Sequence, residues 1–128
     1  MVFIEVKSGD HALTGNAGLH HHISDINIFL HTPQAIKNLK AEMLSLFAQQ
    51  YQLGLIKNTH VLQGFGTQLP LYIVVLINHD PASSILKREC TNLPSVKGAE
   101  LAFIESNFLG YGLFEDRLLN LTQFMNKV

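Results

Sequence analysis

With 128 residues, 47% hydrophobic and 15% charged, the chain has the length and apolar content of one globular domain and excludes a disordered segment. Nine Lys and Arg against ten Asp and Glu leave a formal charge of −1, which argues against a strong independent nucleic-acid binder, since phosphate contacts demand a basic face. A lone cysteine, Cys90, excludes an internal disulfide and a cysteine metal cage; the longest apolar run, residues 69–77, is too short to cross a bilayer, so a cytoplasmic location is expected.

The chain opens on Val2-Phe3-Ile4-Glu5-Val6-Lys7-Ser8, an apolar strand pattern interrupted by an acid and a lysine. Side chains alternate along a strand, so Glu5 and Lys7 share one face while Ile4 and Val6 share the other. A carboxylate beside an amine suits a hard divalent cation and a developing negative charge. The plain alternative is an ion pair at a solvent-facing strand end. Residues 8–18, rich in Gly, Asp, Asn and Ala, read as a flexible loop placed to meet a substrate.

Leu19, Ile23, Ile26 and Leu30 then recur at helical spacing, with His20, His21 and His22 on the first turn. His21 and His22 each share a face with Asp25, enough to begin a metal or acid/base site but too few ligands for structural zinc. An exposed polar turn is the plain reading. Thr32-Pro33 starts a second helix, predicted to run to about Leu53 before Gly54, with Ile36, Leu39, Met43, Leu46, Phe47 and Gln50 along one stripe. At about 30 Å this helix is expected to be the main packing element.

Leu55, Ile56, Val61 and Leu62 outline a further short strand, and residues 71–77 a strand buried on both faces. Asp80 is expected to cap a helix begun by Pro81 and carried to Cys90, while His79-Asp80 sits at the carboxyl end of the central strand, where α/β domains bind ligands. After a loop, residues 101–104 predict another buried strand, Gly110-Tyr111-Gly112 a turn, and Asp116 the cap of a last apolar-sided helix. The segment from Phe108 to Phe114 is apolar enough to form a protein contact. Lys37 with Lys40 and Lys87 with Arg88 read as solvated helix faces.

The strand Ile4-Glu5-Val6-Lys7-Ser8-Gly9 resembles the central strand of the PD-(D/E)XK nuclease superfamily, whose E-x-K half-motif belongs to the active site. The resemblance covers the later half of that restriction-endonuclease-like fold and implies a single nuclease-like α/β domain, a helix-covered mixed sheet, abbreviated or truncated at its N-terminus. It implies Glu5 and the Val6 carbonyl as ligands of Mg²⁺ or Mn²⁺ and Lys7 near the attacking water. The family's upstream Asp has no counterpart, and Tyr51 follows Phe47 where its glutamine-x-x-x-tyrosine helix signature would stand. Glu42, Asp10 and Asp25 are the acids available to replace that Asp, unless a partner supplies one.

Two functions follow as expectations. One is metal-dependent phosphodiester hydrolysis of nucleic acid, carried by Glu5 and Lys7. The other is a non-catalytic, self-associating interaction domain, because a fold that begins at this strand leaves an edge and an apolar face open, and both invite a homo-oligomer.

Overall fold

The computed structural model describes residues 1–57, 62–80, 82–106 and 114–128. Strands β1 (Val2–Ser8), β2 (Leu71–Ile77) and β3 (Glu100–Ser106) form one sheet in the order β1-β2-β3. Both pairings are parallel, with Glu5 opposite Val74 and Val74 opposite Phe103. Among the described residues the sheet is therefore purely parallel where a mixed one was expected. Parallel neighbours need crossovers, and helices supply them: α1 (Leu19–Leu30) and α2 (Pro33–Gln52) lie between β1 and β2, and α3 (Ser84–Thr91) between β2 and β3. A last helix, α4 (Leu121–Lys127), follows β3.

The β-branched run of β2 takes the middle of the sheet, where its five central residues are buried. One face carries the main core: Val74 and Leu76 of β2 and Phe103 of β3 pack with Leu19 and Ile23 of α1, Leu86 and Cys90 of α3, and Phe124 of α4. The Phe103 and Phe124 rings stack with centroids 4.9 Å apart. The opposite face buries a smaller cluster, Ile73, Val75 and Ile104, with Leu118 against it. Residues 8–18 are not a loose loop: two 3-10 turns, Asp10–Leu13 and Gly15–Ala17, carry Leu13 fully into the main core.

Helix boundaries follow local chemistry, with three departures from expectation. The end of α2 is a Schellman motif, in which Gly54 at φ 70° donates to Tyr51 O and Leu55 donates to Gln50 O. Yet α2 buries none of its residues, and Met43 and Leu46 stay 39% and 48% exposed. It packs beside α1 and is not the main packing element, because among the described residues its half-buried stripe, Ile36, Leu39 and Phe47, belongs to neither core cluster of the sheet. The third helix begins at Ser84 under a Ser83 cap, since Asp80 spends its carboxylate on Ala82 N–H in the preceding turn. The last helix is capped by Asn120, whose capping box with Gln123 displaces the expected Asp116; that residue sits in a 3-10 turn, Glu115–Arg117.

Residues 55–57 and 62–64 are not strand, and the remainder of that predicted strand, with Val61, lies outside the described residues. So do Pro81, the Gly110-Tyr111-Gly112 turn and the Phe108 segment except Phe114, which is 51% exposed. No helix among the described residues is long and apolar enough to cross a membrane. Cys90 is buried, and burial first, with Glu89 second, pushes its thiol up to about 11. Phe124→Ala is expected to cost about 3–5 kcal/mol in urea unfolding, because it removes a buried ring and its stacking partner's contact. Cys90 is expected to resist thiol reagents in the native state and to react on unfolding, read by Ellman titration with and without denaturant.

Candidate functional site

The alternation of β1 turns Phe3, Glu5 and Lys7 inward and Val2, Ile4 and Val6 outward. Val2, Ile4 and Val6 are 51%, 50% and 56% exposed, whereas Lys7 is only 2% exposed on the face beneath α1. A buried ammonium needs acceptors, and the Ala17 carbonyl and the Glu5 carboxylate supply them. Lys7 Nζ donates to Ala17 O at the end of the 3-10 segment, lies 2.8 Å from Glu5 Oε1, and is 3.1 Å from His22 Nδ1. His22 in turn donates from Nδ1 to Glu5 Oε1 at 2.6 Å, so the carboxylate sets which ring nitrogen holds the hydrogen. Glu5 is thus gripped by a lysine two residues on and a histidine one helix away.

Glu5 and His22 line an open groove of about 370 Å³ between β1 and α1, walled by Phe3, Phe29 and Tyr72 and rimmed by Asp25. Phe3 and Phe29 meet edge to face, centroids 6.0 Å apart. Burial, then the Glu5 and Asp25 carboxylates, raise the Tyr72 phenol well above its ordinary range, so it enters this groove as a neutral hydroxyl.

A second polar cluster closes the carboxyl ends of β1 and β2. Its centre is Asp10: Oδ1 lies 3.0 Å from His79 Nδ1, and Oδ2 accepts from the Ser83 hydroxyl that caps α3. The other ring nitrogen, His79 Nε2, lies 3.2 Å from Lys7 O, so both acceptors are satisfied only when both nitrogens carry hydrogen. The Ser83 hydrogen bond above all, then the His79 contact, hold the Asp10 carboxyl below the usual carboxylate range against an opposing contribution from burial. With its oxygens spent on Ser83 and His79, Asp10 serves as a clasp between strand ends.

The structure therefore joins Glu5 to Lys7 as the sequence predicted, but with the lysine turned inward. His22 faces Glu5 rather than Asp25; His21 keeps Asp25 at 4.0 Å, and His20 lies 3.0 Å from Glu89 O. Glu42 is exposed on α2 and is not part of the groove. Lys87 and Arg88 are on the exposed side of α3. Among the described residues no group of three or more His, Cys, Asp or Glu could hold a metal ion. Glu5 and Asp25 remain the two carboxylates of the groove, a donor set that fits weakly held Mg²⁺ or Mn²⁺, which keeps several waters and is commonly bound by one or two carboxylates with substrate phosphate.

No protein-family model, curated protein or solved structure matches the chain. The roles of these side chains rest on their own chemistry.

Asp10→Asn is expected to lose about 1.5–3 kcal/mol, the worth of hydrogen bonds to a charged group. Because the Asp10 carboxyl is lowered in the folded state, its contribution is present above the ordinary value of 3.8 and is lost as pH falls through the lower folded value. Urea midpoints measured between neutral pH and pH 3 are expected to fall less steeply in Asp10→Asn than in wild type.

Proposed function

We propose that the chain is a nuclease-like domain that hydrolyses phosphodiester bonds of nucleic acid with the help of Mg²⁺ or Mn²⁺. The observation that carries this reading is the carboxylate of Glu5, held by Lys7 and His22 at the wall of a groove on the inward face of β1. An acid and a lysine on a buried strand face are costly unless they do something there, since an apolar pair would fill the same space without desolvating two charges. Glu5 and the Val6 carbonyl are the proposed metal ligands, and Asp25 the further acid within the groove. The bound ion supplies a Lewis acid for the phosphoryl group and an activated water.

The protein's own residues then position. Glu5 presents its carboxylate to the groove, His22 fixes the orientation of that carboxylate from α1, and Lys7 ties it to the 3-10 segment through Ala17 O. Lys7 thereby acts as a positioning residue. Calorimetric titration of Mn²⁺ into wild type is expected to give weak binding that Glu5→Gln abolishes while circular dichroism stays native. His22→Ala is expected to weaken metal affinity or cleavage about 10–100-fold, the usual scale for a residue that orients a ligand. Cleavage that survives Glu5→Gln sinks the reading.

A second reading, a self-associating interaction domain, has its own support. The edge of β3 is closed by Leu119, whose backbone exchanges hydrogen bonds with Phe103 at 2.7 and 2.9 Å, but no described strand pairs with the outer edge of β1. That edge adjoins half-exposed Val2, Ile4 and Val6, and α2 adds exposed Met43 and Leu46. Sedimentation is expected to show a homo-oligomer that Ile4→Lys with Val6→Lys dissociates; a strictly monomeric wild type removes this reading.

A further inference from the structure

The groove beside Glu5 has walls that the hydrolytic reading does not itself use. Its walls are aromatic, Phe3 and Tyr72 from neighbouring strands of the sheet and Phe29 from α1, which also contributes Ile26. Its polar groups are the Glu5 and Asp25 carboxylates and the His22 ring. At about 370 Å³ it stands near the small end of ligand pockets, the size for one flat ring system and not for a duplex. Among the described residues no Lys or Arg lines it. Lys7, beside Glu5, is 2% exposed and spends its ammonium on Ala17 O and Glu5, so it offers a phosphate in the groove nothing of its own.

We propose that this groove takes one unpaired nucleobase bearing an exocyclic amine, stacked on Phe29 and donating to Asp25, and so makes single-stranded nucleic acid the substrate. The inference rests on the nuclease reading of the same site. Aromatic faces bind any base by stacking, and carboxylate acceptors add a preference for bases whose edge carries an amine, cytosine, adenine and guanine over thymine or uracil. Half-buried Phe29 stands one turn beyond Asp25 on α1, at the i and i+4 positions that share a helix face, so ring and acceptor belong to one wall. The Asp25 side chain is 61% exposed and stands at the rim, where a ligand in the groove meets it. A base held inside a duplex enters only after unstacking, which costs a few kcal/mol and sets duplex binding well below single-strand binding.

Recognition through the base rather than the phosphate has a second signature. Affinity is expected to fall only gently with salt, because few counterions are released when few phosphates are neutralised. Other occupants fit less well: an acyl chain meets two carboxylates and an imidazole, and a free phosphate meets no cation.

The test is fluorescence titration of short oligodeoxycytidine, oligodeoxyadenosine and oligothymidine strands, and of a duplex, into the full chain without divalent metal. Expected results are binding of the amine-bearing strands several-fold to about 100-fold tighter than oligothymidine, a comparable loss in Asp25→Asn for those strands alone, and weak duplex binding. Phe29→Leu is expected to weaken all single strands about 5–100-fold, the scale of one lost stacking partner, and keeps an apolar side chain in place should Phe29→Ala fail to fold. Equal affinity for duplex and single strand, or strand binding untouched by both Asp25→Asn and Phe29→Leu, overturns the proposal. Adding Mn²⁺ separates it from its parent reading. Base-selective binding with no hydrolysis refutes the nuclease and leaves the groove assignment standing, whereas Glu5-dependent hydrolysis of duplex without base preference does the reverse.

Discussion

A buried ammonium sets the terms for everything near the site. Lys7 is turned into the main core side of the sheet, where an unpaired charge costs several kcal/mol. Its requirement for acceptors is met by a backbone carbonyl at Ala17 and by Glu5, two residues before it on the strand. Meeting it fixes the 3-10 segment over the end of β1 and sets where α1 starts, and the start of α1 determines that His22 rather than His20 or His21 reaches Glu5. The order of causes therefore runs from one lysine to one loop to one helix phase.

The same interior arrangement explains why the two polar clusters stay distinct. Glu5 and His22 open into a groove, while Asp10, His79 and Ser83 spend their groups on one another and on the Lys7 carbonyl. One cluster keeps polar atoms at a cavity wall. The other locks the carboxyl ends of two parallel strands and the first turn of α3, the edge at which α/β domains ordinarily present ligands. A clasp at that edge gives the neighbouring residues a rigid base, and it leaves β1 and α1 to form the wall of the open groove.

Much of the framework was legible in the residues. The spacing of Leu19, Ile23, Ile26 and Leu30 marks α1, the run Leu71 to Ile77 marks β2, and Thr32-Pro33 with Gly54 brackets α2. What the pattern lacks is direction. Alternation puts Glu5 and Lys7 on one face of β1 but is symmetric as to which face turns inward, and only the packing of α1 resolves it. Helical spacing pairs His21 and His22 with Asp25 and reaches no further; the partners of His22 and His20 lie 17 and 69 residues away, at Glu5 and Glu89. Asp80 and Asp116 looked like caps because acids before helices usually are, yet Ser83 and Asn120 stand nearer and take the amide hydrogens first. The apolar stripe of α2 predicted burial, and periodicity reports what a helix is able to bury, not what is there to bury it.

That bare helix has an energetic consequence. Most helical stability in proteins comes from tertiary packing, and a helix of 20 residues with none fully buried leans more than its neighbours on its own propensity and on its Schellman end. Its amide hydrogens are then protected by a local opening free energy far below that of the sheet, and they exchange early while β2 and β3 exchange only with global unfolding. Whatever covers Met43 and Leu46 adds its contact energy to the folding of α2, so the helix gains order in proportion to the surface that meets it.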